Sequence, residues 1–231
     1  MLDCSGRGSK LHDSDRDENP TRRVPYVNWT LILVNIGVFI YTLVNGNLGN
    51  PNCDPGNTIC NYGLVPAQIA GGAELWTLIT SMFLHGGLLH IGGNMLYLYI
   101  FGDNIEDLAG HVGYLLFYLT TGVIGALTHV ASDPASTIVT IGASGAISGV
   151  LGAYVRKFPH TRVRTIVYYG FFIRFTRVPA MFLIGFWFFY PLVFALVGIE
   201  GGVAYFAHVG GFIAGFLLSY LLRSEPYPIH Y

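Results

Sequence analysis

The polar and apolar positions of this chain fall into blocks rather than into alternation. Apolar runs near or above the length needed to cross a bilayer cover roughly Asn28–Val44, Leu84–Phe101, Val112–Val130, Val139–Val155, Pro179–Val197 and Val203–Leu222. Each is expected to form a membrane-crossing helix, which gives an all-α bundle of six. The fourth is the shortest and the richest in glycine. Residues 1–25 are polar, charged and too poor in apolar side chains to bury a core, so they are expected to form a disordered tail. Residues 224–231 form a second, short tail, which leaves 26–223 as the membrane domain. No signal-peptide pattern is read, because the first apolar run begins near residue 27 and no small-residue cleavage site follows it. Between the first two runs lies a long, turn-rich segment with Pro51, Pro55 and Gly56. After the second comes Gly102-Asp-Asn-Ile-Glu106-Asp-Leu-Ala-Gly110, expected to be a short acidic turn.

Composition sharpens this picture. Of 231 residues 52% are hydrophobic and 11% charged, where a soluble domain carries about a quarter charged residues. Net charge is −1, so nothing in the overall balance points to a nucleic-acid partner. All 12 cationic side chains sit in three segments: Arg7 to Arg23, Arg156 to Arg177, and Arg223. With six crossings these segments share one side. The positive-inside rule puts that side, and both termini, in the cytoplasm. The expected location is therefore a multi-pass protein of the cell membrane, with the lipid bilayer as its first partner. The stretch from Arg156 to Arg177 places Phe171, Phe172 and Phe175 among its cations, a composition suited to the headgroup layer.

The candidate chemistry lies inside the apolar runs. Gly142-Ala-Ser144-Gly145 puts a serine between glycines where a loop becomes a helix. The start of a helix has unpaired N–H groups and partial positive charge, a ready place for an oxyanion. Taken alone, the motif reads equally as a small-residue packing surface. In the second run His90 and Asn94 are four apart and share a helix face, at depths where polar side chains are costly unless paired or functional. His85 is rotated off that face and reads as structural. The sixth run contains Ala207-His208-Val-Gly-Gly211 and then Gly215. Its small residues at intervals of four match those of Gly145 and Gly149, so the two helices can pack backbone to backbone. That packing would bring His208 to Ser144. Serine needs an adjacent base to become a nucleophile, and no Asp or Glu lies in the apolar runs to complete a triad. The expected set is a Ser144–His208 dyad, with Asn94, His90 and the Ser144 N–H as donors to the oxyanion. His129 reads as a solvated loop histidine. Cys53 and Cys60 in the first outer loop are either a disulfide or two free thiols. Neither a metal nor a cofactor is expected, since no ligand cluster surrounds these cysteines.

Over Trp29–Arg223 the chain resembles the rhomboid intramembrane serine proteases. The resemblance rests on three motifs in order: His85-x4-His90-x3-Asn94, Gly142-Ala-Ser144-Gly145, and Ala207-His208-x2-Gly211-x3-Gly215. It implies a six-helix bundle around a short central catalytic helix, with a water-filled cavity open to the outside. It also implies cleavage of single-span membrane proteins near the outer ends of their helices. Ser144 would then be nucleophile and His208 base, with Asn94 and His90 serving the oxyanion and Gly142 shaping the loop beside it. Glu106 sits where the family often keeps a structural glutamate. Two positions differ from the family pattern: Trp76-Thr77 where members often have Trp-Arg, and Ser148 where an aromatic ring often supports the histidine. The rival readings are a catalytically silent rhomboid-like protein that binds membrane clients, and a small transporter. The silent relatives typically lack the serine or the histidine, and transporters often show an internal repeat that is not seen here. The sequence sets no oligomeric state.

Overall fold

A computed structural model describes residues 19, 21–45, 48, 56–169, 172–196 and 204–223. The expected tails at 1–18 and 224–231, and Cys53, lie outside the described residues. Helix α1 (Tyr26–Val44) is followed by three short helices, α2 (Thr58–Tyr62), α3 (Pro66–Ala70) and α4 (Thr77–Thr80), and a 3-10 turn at Ser81–Phe83. Then come α5 (Leu88–Ala109), α6 (His111–Ser132) and α7 (Ser144–Lys157). A hairpin of β1 (Arg162–Tyr169) and β2 (Phe172–Pro179) leads to α8 (Ala180–Leu196) and α9 (Tyr205–Leu218). Each of the six apolar runs thus contains a helix. Two of these, α1 and α6, are long and apolar enough to cross a membrane by length and composition.

Helix α7 forms the axis. Every residue from Gly145 to Tyr154 is buried, enclosed by α5, α6, α8 and α9, and its most extensive contact is with α9. The reason is the absence of side chains. A Cβ added to Gly211 would strike the Gly145 carbonyl, and one added to Gly215 would strike the Gly149 carbonyl. The two helices meet backbone to backbone, as the small-residue spacing predicts. Outward faces carry large apolar side chains instead, among them Leu33 and Ile40 on α1, Leu116 on α6, Phe182 and Phe186 on α8, and Leu217 on α9. A surface of this kind calls for a partner other than water.

Four expectations change. The acidic segment after the second run is not a turn. It is the end of α5, with Asp103, Glu106 and Asp107 buried, and the chain turns at Gly110, where φ is +72°. Glu106 pairs far from its own segment. Its oxygens accept the Val27 N–H at 3.0 Å and the Asn28 N–H at 2.7 Å, and it meets His111 Nδ1 at 2.5 Å. The N–H groups at the start of α1 have no partner within the helix, and the Glu106 side chain supplies one.

The tail boundary also moves. Asn19 donates to the Tyr154 hydroxyl at 3.0 Å and accepts from Thr161 at 3.1 Å, and Thr21 is buried. The fourth run is helical only from Ser144, and residues 138–142 are not helical. Finally, the fold is not purely α. Residues 162–179 form an antiparallel hairpin with Val163 opposite Val178 and Thr165 opposite Thr176. Its strands are dense in β-branched and aromatic residues, and Arg162 and Arg164 flank the buried Val163 with the period of two that a strand requires. At the same end of the molecule Lys157 donates to the Leu222 carbonyl at 2.9 Å, tying the end of α7 to the segment that follows α9.

Candidate active site

Ser144 is the first residue of α7 and is partly exposed. Among the described residues no side chain caps this helix, so its first N–H groups remain open toward the loop. Gly142 makes that loop possible. Its φ is +126°, a conformation that disfavours any residue with a Cβ. A Cβ there would also stand 2.8 Å from His90 Nε2 and 3.7 Å from Ser144 Oγ. The serine hydroxyl and the His90 ring therefore converge on the same bare Cα.

Three contacts pin the loop. Gly142 N–H donates to the Ser81 carbonyl at 2.9 Å, and Leu64 and Thr140 exchange backbone hydrogen bonds at 3.0 and 2.7 Å. His129 Nε2 meets Thr140 Oγ1 at 3.1 Å. His129 is thus a half-buried anchor of the loop rather than a solvated residue.

His90 and Asn94 occupy the first turns of α5. The Gly86 N–H approaches His90 Nδ1 at a long 3.4 Å. That assigns Nδ1 as acceptor and leaves Nε2–H as the donor facing Gly142. Asn94 is buried, and one amide N–H donates to the His90 carbonyl at 3.0 Å. A primary amide has a second N–H to offer. His85 lies fully buried behind them, its ring centroid 5.0 Å from that of His90. It packs against the site and does not open onto it.

His208 reaches the site through the crossing of α7 and α9. Gly145, next to Ser144, faces Ala207, next to His208: a Cβ on Gly145 would lie 3.6 Å from the Ala207 carbonyl oxygen. The crossing brings together the turns that carry Ser144 and His208. His208 is 4% exposed, and its Nδ1 has no hydrogen-bond partner among the described residues. Two aromatic rings of α8 lie against it. Trp187 of α8 stacks on it with centroids 5.8 Å apart and planes inclined by 28°, and Phe188 meets it edge-on at 6.4 Å. The Trp187 indole N–H donates to Ser148 Oγ at 3.0 Å. Sequence reasoning passed over Trp187, because one ring in an aromatic-rich helix carries no mark of its own.

The remaining assignments divide. Gly211 lies in the crossing beside the site. Gly215 lies further along α9 against Gly149 and serves packing alone. Cys60 is disulfide-bonded, while Cys53, the candidate partner, lies outside the described residues. Thr77, at the position of the departure from Trp-Arg, is fully buried and donates through Oγ1 to the Glu74 carbonyl at 2.8 Å, securing the turn that begins α4.

In this mostly helical domain His90 Nε2 and Ser144 Oγ lie around Gly142, beside the crossing of α7 with the helix that carries His208. Residues 72–225 match the family model of the rhomboid domain. The chain is 31% identical to RHOMBOID-like protein 5 of Arabidopsis thaliana over 170 residues, which cover 73% of this chain and 51% of that protein. It is 33% identical to RHOMBOID-like protein 1 of the same plant over 153 residues, 66% of this chain and 36% of that one. Rhomboid protease GluP of Bacillus subtilis is 29% identical over 188 residues, 81% of this chain and 33% of GluP. The chain belongs to the rhomboid family. It spans from about half to a third of the length of these relatives.

Proposed function

We propose that this chain is an intramembrane serine endopeptidase that hydrolyses peptide bonds in or near the transmembrane segments of single-span membrane proteins. In this reading α1, α5, α6, α7, α8 and α9 cross the cell membrane, both termini are cytoplasmic and the site opens outward. Ser144 Oγ attacks the scissile carbonyl carbon while His208 takes the hydroxyl proton. The carbonyl oxygen becomes an oxyanion beside the open N–H groups of α7, the His90 Nε2–H and the free amide N–H of Asn94. His208 then returns the proton to the leaving amine, and water hydrolyses the acyl-enzyme by the same path. No carboxylate is required in the scheme. The neutral His208 ring accepts through one nitrogen, and its orientation is fixed by packing rather than by a third acid.

The observation that carries the reading is the convergence of His90 Nε2 and Ser144 Oγ on Gly142, beside the turn that holds His208. Gly142 adopts a positive φ without cost and leaves space between a hydroxyl and an imidazole, the room that a substrate carbonyl needs. The test is labelling by a serine-reactive fluorophosphonate in detergent. The unmodified protein should label and Ser144→Ala should not, while His208→Ala should label far more slowly. Absence of label on the unmodified, folded protein would favour the silent, client-binding alternative.

A further inference from the structure

His208 Nδ1 has no hydrogen-bond partner among the described residues, so hydrogen bonding at that nitrogen does not fix the plane of the ring. A histidine ring is free to turn about its side-chain torsions unless something flat lies against it. Trp187 supplies that surface. It is nearly parallel to the imidazole, 28° off at 5.8 Å between centroids, inside the range of favourable offset stacking. Trp187 is itself held at two places. Its N–H donates to Ser148 Oγ on α7, and its ring packs on Tyr97 of α5 at 4.4 Å. Ser148 is fully buried and lies one turn after Ser144 on the same helix. The contacts form a closed circuit: α7 carries the nucleophile and the acceptor, α8 carries the stacked ring, and α9 carries the base.

Resting on the dyad reading given above, we propose that Trp187 is the positioning residue for His208. In this scheme the Ser148 hydroxyl ties the indole of α8 to the helix that bears Ser144. The base is then registered to the nucleophile through Trp187 rather than through an acid. One consequence is specific to this chain. Because Trp187 stands on α8 while Ser144 and His208 stand on α7 and α9, any displacement of α8 withdraws the surface that orients the base.

The experiment compares Trp187→Leu, Trp187→Phe and Ser148→Ala with the unmodified protein. Two quantities are read: the rate of Ser144 labelling by a fluorophosphonate, and the NMR shift of the His208 ring in protein carrying 13C-labelled histidine. His208→Ala assigns the resonance. Loss of one stacked aromatic partner should slow labelling in Trp187→Leu by about 2- to 12-fold. The ring-current shift of His208 should disappear in the same variant. Trp187→Phe keeps a ring but loses the N–H, so it should fall between the two, with a partial shift. Ser148→Ala should match Trp187→Phe, and combining the two should add nothing, since both remove one bond. Should Trp187→Leu fail to fold, this non-additivity carries the test by itself.

Unchanged labelling and an unchanged His208 shift in Trp187→Leu would overturn the positioning role and leave the dyad standing. Faster cleavage of a single-span substrate by Trp187→Leu, with unchanged labelling, would also overturn it, because the ring would then be a barrier to substrate entry. No labelling of the unmodified protein would overturn the dyad reading itself, whatever the His208 shift shows.

Discussion

Asn94 shows how a polar residue in an apolar helix can be tested for its role. It is 2% exposed, one of its N–H groups is used within its own helix, and its Oδ1 is buried without a partner among the described residues. A donor to the transition state and a packing residue in that place differ in what their loss does. Removing one oxyanion donor costs about 10²–10³ in turnover, roughly 2.7–4 kcal/mol. A hydrogen bond between membrane helices is worth about 0.6 kcal/mol on average. Asn94→Ala is therefore expected to lower kcat by about two orders of magnitude, with little change in KM and a small shift in Tm. Cleavage kinetics on a single-span substrate with parallel thermal melts checks this. Normal kcat with a large loss of Tm would make Asn94 structural and pass the oxyanion role to His90 and the α7 N-terminus. Thr77 and Ser148 are the counterpart at the same scale. Each stands where the family pattern has a larger residue, and each uses a short hydroxyl to hold a neighbour: the Glu74 carbonyl for one and the Trp187 indole for the other.

Among elements, the crossing of α7 and α9 decides whether there is a site at all. Its closeness depends on glycines that meet carbonyls, so the expected effect of a methyl group differs by position. Gly215→Ala would place a Cβ against the backbone of Gly149. Backbone cannot rotate away, and overpacking of this kind costs about 1–3 kcal/mol. Gly37→Ala on α1 meets nothing within 4 Å, and should gain slightly in helix stability. The first variant is expected to lose Tm and activity together, the second to lose neither. Equal melting of the two would show that the helices do not meet as described.

The spacing that produces this crossing was legible in the sequence, because small residues at intervals of four are a local signal. So was the polar set, because His90, Asn94, Ser144 and His208 stand out in apolar surroundings. What local pattern cannot carry is a partner from elsewhere in the chain. The segment around Glu106 reads locally as a turn because the partners of Glu106, the first N–H groups of α1, lie 79 and 78 residues away. The hairpin was missed for a related reason. Its arginines and aromatic rings suit a headgroup layer equally well as a loose loop or as paired strands, and only the cross-strand register decides between them.

For the whole molecule the claims are orientation and activity. The exposed apolar faces of α1, α6, α8 and α9 fit a lipid surround. All 12 cationic residues lie on segments assigned to one side, which the proposal takes as cytoplasmic. Single cysteines in a cysteine-free background test this in intact cells. Ala73→Cys, exposed before α4, should react with an impermeant reagent, and His160→Cys, exposed between α7 and the hairpin, should not. The reverse pattern would invert the molecule and turn Ser144 toward the cytoplasm. The central claim, that Ser144 and His208 together hydrolyse peptide bonds within the membrane, is tested most directly by mass measurement. The protein is incubated in proteoliposomes with a panel of single-span substrates, and the products are weighed. The account predicts two fragments whose masses sum to that of the substrate plus one water, cut in or near the transmembrane segment, with none from Ser144→Ala or His208→Ala. Fragments of the same masses from either variant would contradict it.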